Sequence, residues 1–274
     1  MTAEELTSLL ARPARPLEAG VLEALDPAGN GQPQQFGPDR LARIEAMGQW
    51  HFWFAGRRAR LDRLLGELLR TPRTILDVGC GTGLMLELLD RRHRLVGTDL
   101  LLEGLSLAAT RNPDALLVRA DATDLPFQEN AFDLILLLDV LEHLDDTLAL
   151  REARRVLRPG GLAAITVPAL PWLCSGRDRA AGHLRRYTRA SLTGAVTDAG
   201  LELDSVAYFQ FLLFPLVLAS RALRRRADAP AELEEAPARP VNAVLSAVNR
   251  FEAALTAEVS VPVGSSLVAL CRKP

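Results

Sequence analysis

The chain has 274 residues, enough for one large domain or one domain with extensions. With 49% hydrophobic residues it can build a real core, and a net charge of −2 argues against wholesale electrostatic binding of nucleic acid. Cys80, Cys174 and Cys271 are an odd, widely spaced set, which argues against a disulfide framework and for a reducing compartment, and no metal-type Cys/His spacing is present.

Met1 to Glu5 is acidic and lacks an apolar signal core, so a cytoplasmic protein is expected. Residues 1–35 carry two short helical patterns separated by Pro13 and Pro16, then a Gly/Pro/Gln/Asn loop from Pro27 to Gly37. Residues 38–70 read as helix, closed by Pro72. From 74 to 170 short apolar runs at 74–78, 94–98, 115–119, 133–138 and 162–167 alternate with helical patterns at 84–91, 101–111 and 146–157. That alternation predicts right-handed crossover units on a parallel sheet. Pro159-Gly160-Gly161 reads as a stop between helix and strand. Beyond 170 the pattern predicts a helix over 188–199, a strand over 201–209, an apolar run over 211–223, an amphipathic helix over 241–258 and a closing strand over 265–271. The expected domains are a helical N-terminal extension (1–70), a ligand-binding domain (71–209 with 261–274) and a helical insertion (210–260) whose segment 227–240 is a linker.

The run Ile75-Leu76-Asp77-Val78-Gly79-Cys80-Gly81-Thr82-Gly83 is a buried strand, a tight turn and a helix start. Glycines there allow positive φ and a close approach of backbone to a ligand. Their alternate spacing differs from the G-x-G-x-x-G/A of a pyrophosphate turn, and a carboxylate at Asp77 would repel a pyrophosphate but accept a hydrogen bond from an ammonium group. Asp99, ending the second strand, suits the two hydroxyls of a ribose, or a helix cap before Leu100. Asp121 follows the third strand and suits an exocyclic amine, or is a solvated loop acid.

These residues, with Asp121-Ala122, Leu125-Pro126-Phe127, Phe132-Asp133-Leu134-Ile135, Leu141-Glu142-His143-Leu144 and Leu157-Arg158-Pro159-Gly160-Gly161, resemble a class I S-adenosylmethionine-dependent methyltransferase of the bacterial type 11-like group, over about 100 residues in order. The resemblance implies an α/β Rossmann-like seven-stranded sheet, mostly parallel, with an antiparallel last strand made by a hairpin of 201–209 and 265–271. It implies S-adenosylmethionine as cofactor and S-adenosylhomocysteine as product. It implies that Asp77, Gly79, Cys80, Gly81 and Gly83 contact the methionine moiety, Asp99 with its neighbour Leu100 the ribose, and Asp121-Ala122 the adenine, with Asp139 near the transferred methyl.

Displacement at a sulfonium methyl needs alignment, exclusion of water and, for an O–H or N–H acceptor, removal of a proton; no metal is required. His143 and His183 are the candidate bases, each alternatively a loop-holding histidine. Arg186 and Tyr187 follow His183 and could orient an anionic or hydroxylated acceptor, or the segment could be pinned by Asp178 or Asp198. Trp53 and Phe54, in the aromatic cluster before Arg57 and Arg58, suit either a lid over cofactor and acceptor or a hydrophobic staple. Asp139-Val140-Leu141-Glu142 stands where nucleic-acid amino methylases carry Asn/Asp-Pro-Pro-Tyr/Phe, so nucleic acid is not the expected partner. A small-molecule acceptor, apolar or anionic and methylated at O or C, is expected. The apolar run after 209 is broken by Pro215 and too short to span a membrane; it fits a lid wall, a dimer interface or a peripheral membrane contact. The oligomeric state is left open. The rival readings are a non-catalytic cofactor-binding protein of the same fold and a nicotinamide-dependent oxidoreductase. Lys273 is the only lysine among 32 basic residues, the codon bias of a GC-rich bacterial genome.

Overall fold

A computed structural model describes residues 8–24, 41, 45–48, 50–227, 237–256 and 261–274, without the side chains of 222–227. The expected loop at Pro27–Gly37 and most of the expected linker at 227–240 lie outside the described residues. Among the described residues nine strands form one sheet: β1 (Arg15–Pro16), β2 (Leu22–Glu23), β3 (Thr74–Val78), β4 (Arg94–Asp99), β5 (Leu116–Arg119), β6 (Phe132–Leu138), β7 (Leu157–Pro168), β8 (Glu202–Phe209) and β9 (Ser266–Arg272), in the order β1-β2-β5-β4-β3-β6-β7-β9-β8. Strands β3 to β7 are mutually parallel, and β9 runs antiparallel to both its neighbours. Seven of the strands make the expected sheet. The other two come from the N-terminal segment, where helix was expected. Proline at 13 and 16 removes donors that a helix would need. Leu22–Glu23 instead adds parallel to Val118–Arg119, with Arg119 held to Glu23 at 2.9 Å.

Alternate residues of the central strands enter opposite faces, and both faces are covered. Ile135 and Leu137 pack in one buried cluster and Leu134, Leu136 and Leu138 in the other. A strand buried on both faces therefore reads as an unbroken apolar run rather than an alternating one. The helices are α1 (Phe52–Leu65), α2 (Leu84–Glu87), α3 (Leu102–Arg111), α4 (Asp146–Val156), α5 (Gly176–Ala180), α6 (Arg189–Asp198), α7 (Phe214–Ala227) and α8 (Arg239–Leu255). Helix α2 stops four residues short of the expected end, and a turn follows in which Asp90 accepts the Arg92 N–H at 2.9 Å. Strand β7 begins at Leu157 and runs through Pro159-Gly160-Gly161, because Gly160 and Gly161 exchange main-chain hydrogen bonds with Lys273.

The expected helix over 38–70 breaks at His51, which is extended and caps α1. Asn242 of α8 explains the break: it donates to the Trp50 carbonyl at 2.6 Å and accepts from the Phe52 N–H at 2.8 Å, taking two groups that a continuous helix would have paired internally. Helix α8 is amphipathic, as expected, yet it is the polar face that is buried. Asn242, Ser246, Asn249 and Glu252 point inward, while Val241, Val244, Phe251 and Leu255 are exposed. Asn249 donates to the Phe52 carbonyl at 2.8 Å, and Glu252 accepts from the N–H groups of Phe211 and Leu212 at 2.9 and 2.8 Å.

Gly56 of α1 lets this seam close: a Cβ there would lie 2.6 Å from Asn249 Nδ2. On an exposed helix Gly→Ala stabilises by about 1 kcal/mol. Here the sign reverses. Gly56→Ala is expected to lower stability by about 1–2 kcal/mol, the worth of the displaced Asn249 hydrogen bond beyond that propensity gain. Urea unfolding monitored by circular dichroism measures it.

Candidate active site

The chain winds from β3 outward to β4 and β5, then returns to place β6 on the other side of β3. Crevices at the carboxyl edge of such a switch point are where open α/β sheets hold ligands. The register sets the ends side by side: Val78 lies opposite Thr98 and Leu137, and Asp99 opposite Arg119. The glycine turn, Asp99, Asp121 and Asp139 therefore share one edge.

Gly79, Gly81 and Gly83 have φ of 71°, 54° and 74°. The Thr98 carbonyl accepts from Gly79 and Cys80, and Asp99 Oδ2 accepts from Gly81 at 2.8 Å. A Cβ on Gly79 would strike Val140 at 2.6 Å, and one on Gly83 would strike Asn112 at 2.5 Å and Ala108 at 2.8 Å. These two glycines are required by packing as well as by φ. Gly81 differs: among the described residues nothing lies within 4 Å of where its Cβ would stand. The middle of the turn faces open space, and α3 starts against it, with Gly104 close to the Gly81 carbonyl.

Asp99 braces this turn. Its second oxygen accepts from Leu101 N–H at 2.9 Å, an Asx-type turn two residues on; the helix cap itself is Leu101, so Asp99 is not the cap, and lone pairs are left for a ligand hydroxyl. Burial raises its pKa against the pull of N–H groups at Leu101, Gly81 and Leu100. Asp121 closes its own loop, accepting from Thr123 N–H and hydroxyl at 2.8 and 2.7 Å. Ala122 packs against the core, and the Leu100 carbonyl accepts from Arg119 at 2.9 Å. Burial, with Asp99 and Asp77 nearby, raises the Cys80 thiol well above its usual range, which makes it unreactive as a nucleophile.

Asp77 is buried in β3. Burial pushes its carboxyl up to about 7, against the pull of Arg57 and with added repulsion from Asp99. Asp139 has φ of 60°, a conformation that costs most residues energy and that clusters at functional sites. It pairs with Arg57 at 2.7 Å, both side chains being largely buried. The Arg57 guanidinium also lies over the rings of Trp53 and Phe54, at 5.0 and 5.3 Å from their centroids. The aromatic cluster thus steers an arginine onto the sheet edge.

His143 and His183 meet with ring centroids 4.8 Å apart at 79°. His183 Nδ1 lies 3.2 Å from Asp178 Oδ1, and its Nε2 lies 4.0 Å from Glu142 Oε1. Asp178 also accepts from Arg186 Nε at 2.7 Å and from the main-chain N–H and hydroxyl of Ser175 at 2.8 and 2.9 Å. Despite burial, these donors hold its carboxyl below the usual range. Arg186 is spent on Asp178 and the Ala169 carbonyl. Tyr187 is buried, with its hydroxyl directed to Asp146 at 2.6 Å. Both brace the His183 loop, Arg186 through Asp178, the pinning weighed above, and Tyr187 through Asp146. Two participants were given no role in the sequence reading. Arg57 could have been found from the aromatic pair one turn before it. Glu142 carried no signal beyond its motif, because only the fold makes it buried.

With the geometry in place, the comparisons with known proteins speak to the class. The family described as "Methyltransferase domain" matches residues 76–165. The chain is 31% identical over 208 residues to a ubiquinone biosynthesis O-methyltransferase of Parvibaculum lavamentivorans, covering 67% of this chain and 78% of the relative. It is 28% identical over 165 residues to a probable S-adenosylmethionine-dependent methyltransferase of Mycolicibacterium smegmatis, covering 59% of this chain and 63% of that protein. It covers 56% of a similarly named Mycobacterium tuberculosis protein, so it spans little more than half the length of these mycobacterial relatives. Among solved structures, geranyl diphosphate C-methyltransferase of Streptomyces coelicolor A3(2), in complex with Mg2+, geranyl diphosphate and S-adenosyl-L-homocysteine, shares the fold at a TM-score of 0.56 and 16% identity, over 91% of this chain and 90% of that one. Fold, glycine turn and relatives together define a Rossmann-like nucleoside-cofactor protein. The chain belongs to the class I S-adenosylmethionine-dependent methyltransferases.

Asp77 supplies a pH test of the site. A carboxyl whose pKa rises on folding contributes stability that is full below about 4 and is lost as pH climbs toward about 7. Asp77→Asn is therefore expected to raise the melting temperature of the ligand-free chain, more at pH 8 than at pH 5. Differential scanning calorimetry at both pH values checks the sign.

Proposed function

We propose that this chain transfers a methyl group from S-adenosylmethionine to a small-molecule acceptor, at oxygen or carbon. The observation that carries the reading is that Asp77, Asp99, Asp121 and Asp139 stand at or just beyond the ends of four neighbouring parallel strands, on the edge where the turn glycine Gly81 faces open space. When bound, the cofactor supplies a methyl already activated by its positive sulfur. The chain's own work is to bind, orient and exclude water. The turn at Gly81 leaves room for the amino-acid end, and Asp77 accepts from its ammonium. Asp99 and Asp121 take ribose and base, and Asp139 with Arg57 sets the charge near the sulfur.

On the acceptor side, His143 or His183 takes the proton of a hydroxyl acceptor. Helix α7 forms the wall: Phe214 meets Trp172 edge to face at 6.2 Å, and Arg221 reaches Asp178 at 3.4 Å, which ties the wall to the histidine loop. An apolar acceptor fits this wall, and relatives named as a ubiquinone biosynthesis O-methyltransferase and as a demethylmenaquinone methyltransferase support that class, the first by its name at oxygen. No helix among the described residues is long and apolar enough to cross a membrane.

Calorimetry with S-adenosylmethionine and S-adenosylhomocysteine tests the reading; binding of neither would sink it. Gly81→Val is expected to abolish binding while far-UV circular dichroism stays native. Asp99→Ala is expected to weaken binding by about 1–3 kcal/mol, the cost of stranding polar partners. Affinity for S-adenosylhomocysteine should also rise between pH 6 and pH 8, since an ammonium favours ionised Asp77, and that slope should vanish in Asp77→Asn.

A further inference from the structure

We propose that Glu142, His143 and His183 form a binding site for one divalent transition-metal ion at the acceptor end of the cleft. Glu142 is fully buried, and neither carboxylate oxygen has a hydrogen-bond partner among the described residues. A buried carboxylate left unpaired is costly, and such a group in a folded protein calls for an ion or another partner. The nearby cations reach it only through their fields and give it no hydrogen bond: Arg186 is engaged by Asp178 and Ala169, and Arg57 by Asp139.

The two imidazoles arrive from separate loops, His143 from the turn after β6 and His183 from the segment between α5 and α6. Those loops are locked together, since the Leu184 N–H donates to the Glu142 carbonyl at 2.7 Å. One ligand atom from each of the three residues lies within 4.8 Å of the others. Ligands about 2.0–2.2 Å from a common ion stand roughly 3–3.5 Å apart, so side-chain rotations of about 1 Å close the set. His183 has the supporting contact a metal ligand needs. Its Nδ1 faces Asp178, itself fixed by Arg186 and Ser175, and this leaves Nε2 on the Glu142 side. A carboxylate behind a histidine sets tautomer and ring angle in most histidine metal sites.

Two imidazoles and one carboxylate suit Zn2+, Mn2+, Fe2+ or Ni2+, and leave coordination positions open. An acceptor hydroxyl on an open position would be acidified enough to release its proton to solvent near neutral pH, which moves the histidines from base to ligand. That last link rests on the methyl-transfer reading; the site does not.

The test uses the full chain, without an affinity tag, stripped with chelator and then titrated with Zn2+ and with Mn2+ by calorimetry, with bound metal counted by mass spectrometry. One ion of at least one of these metals per chain is expected, with a rise in melting temperature. Glu142→Gln and His183→Ala should each weaken binding at least tenfold, and Asp178→Asn about tenfold. Cys174→Ser, which removes the exposed thiol, should bind as the parent does. Should Glu142→Gln misfold, His143→Gln answers the same question. No stoichiometric ion from either metal, or equal binding in Glu142→Gln and His183→Ala, overturns the proposal. Titration of the stripped chain with S-adenosylhomocysteine separates the two ideas: ion binding without nucleoside binding removes the methyl-donor reading and keeps the site, and the converse removes the site alone.

Discussion

The strand ends gather acids, and the arrangement depends on one guanidinium brought in from outside the sheet. Asp77, Asp99, Asp139 and Glu142 are all largely or fully withdrawn from water; burial raises the carboxyls of Asp77, Asp99 and Glu142, with added repulsion from Asp99 on Asp77 and from Asp139 on Glu142. Burying charge without compensation costs far more than a hydrogen bond returns. Arg57 meets that demand through Asp139 and by its field on Asp77 and Glu142. Its position rests on α1, α1 on the break at His51, and the break on Asn242 of α8. The insertion is therefore part of the site's electrostatics and not only a cover.

This chain of support explains the pattern of what could be read in advance. The parallel sheet was legible because strands buried on both faces leave unbroken apolar runs, as in Leu134 to Leu138. The glycine turn was legible because three alternate glycines have few other uses. What stayed hidden depends on contacts between residues far apart in the chain. Nothing in Asn242 announces that it will end a helix at His51, and nothing in Leu22-Glu23 announces a strand until Val118-Arg119 stands beside it. Arg186 and Tyr187 have the chemistry of ligands for an acceptor, and only the fold shows that Asp178 and Asp146 are bonded to them. His143 and His183 were read as two separate candidate bases over one cleft; that their rings meet shows only in the fold, and Glu142 beside them was seen only as part of a motif.

The site also shows where the fold gives up stability. Asp77 sits in the centre of the sheet, where an apolar residue would pack well, and Asp139 holds a positive φ. Neither choice favours the empty protein. Both are intelligible if a cation completes the cleft, since a ligand that binds only the folded state returns the deficit by mass action. Glu142 poses the same problem on the other side of Asp139, and the two acids call for different cations.

The seam between α1 and α8 has a bearing on how the chain is made. Its two halves lie nearly two hundred residues apart, so α1 leaves the ribosome long before its partner exists. An apolar face exposed for that interval would invite association with other nascent chains. The groups that await α8 on α1 are instead main-chain donors and acceptors and a glycine, which water can satisfy in the meantime. Polarity at this seam lets α1 wait in solvent until α8 is delivered.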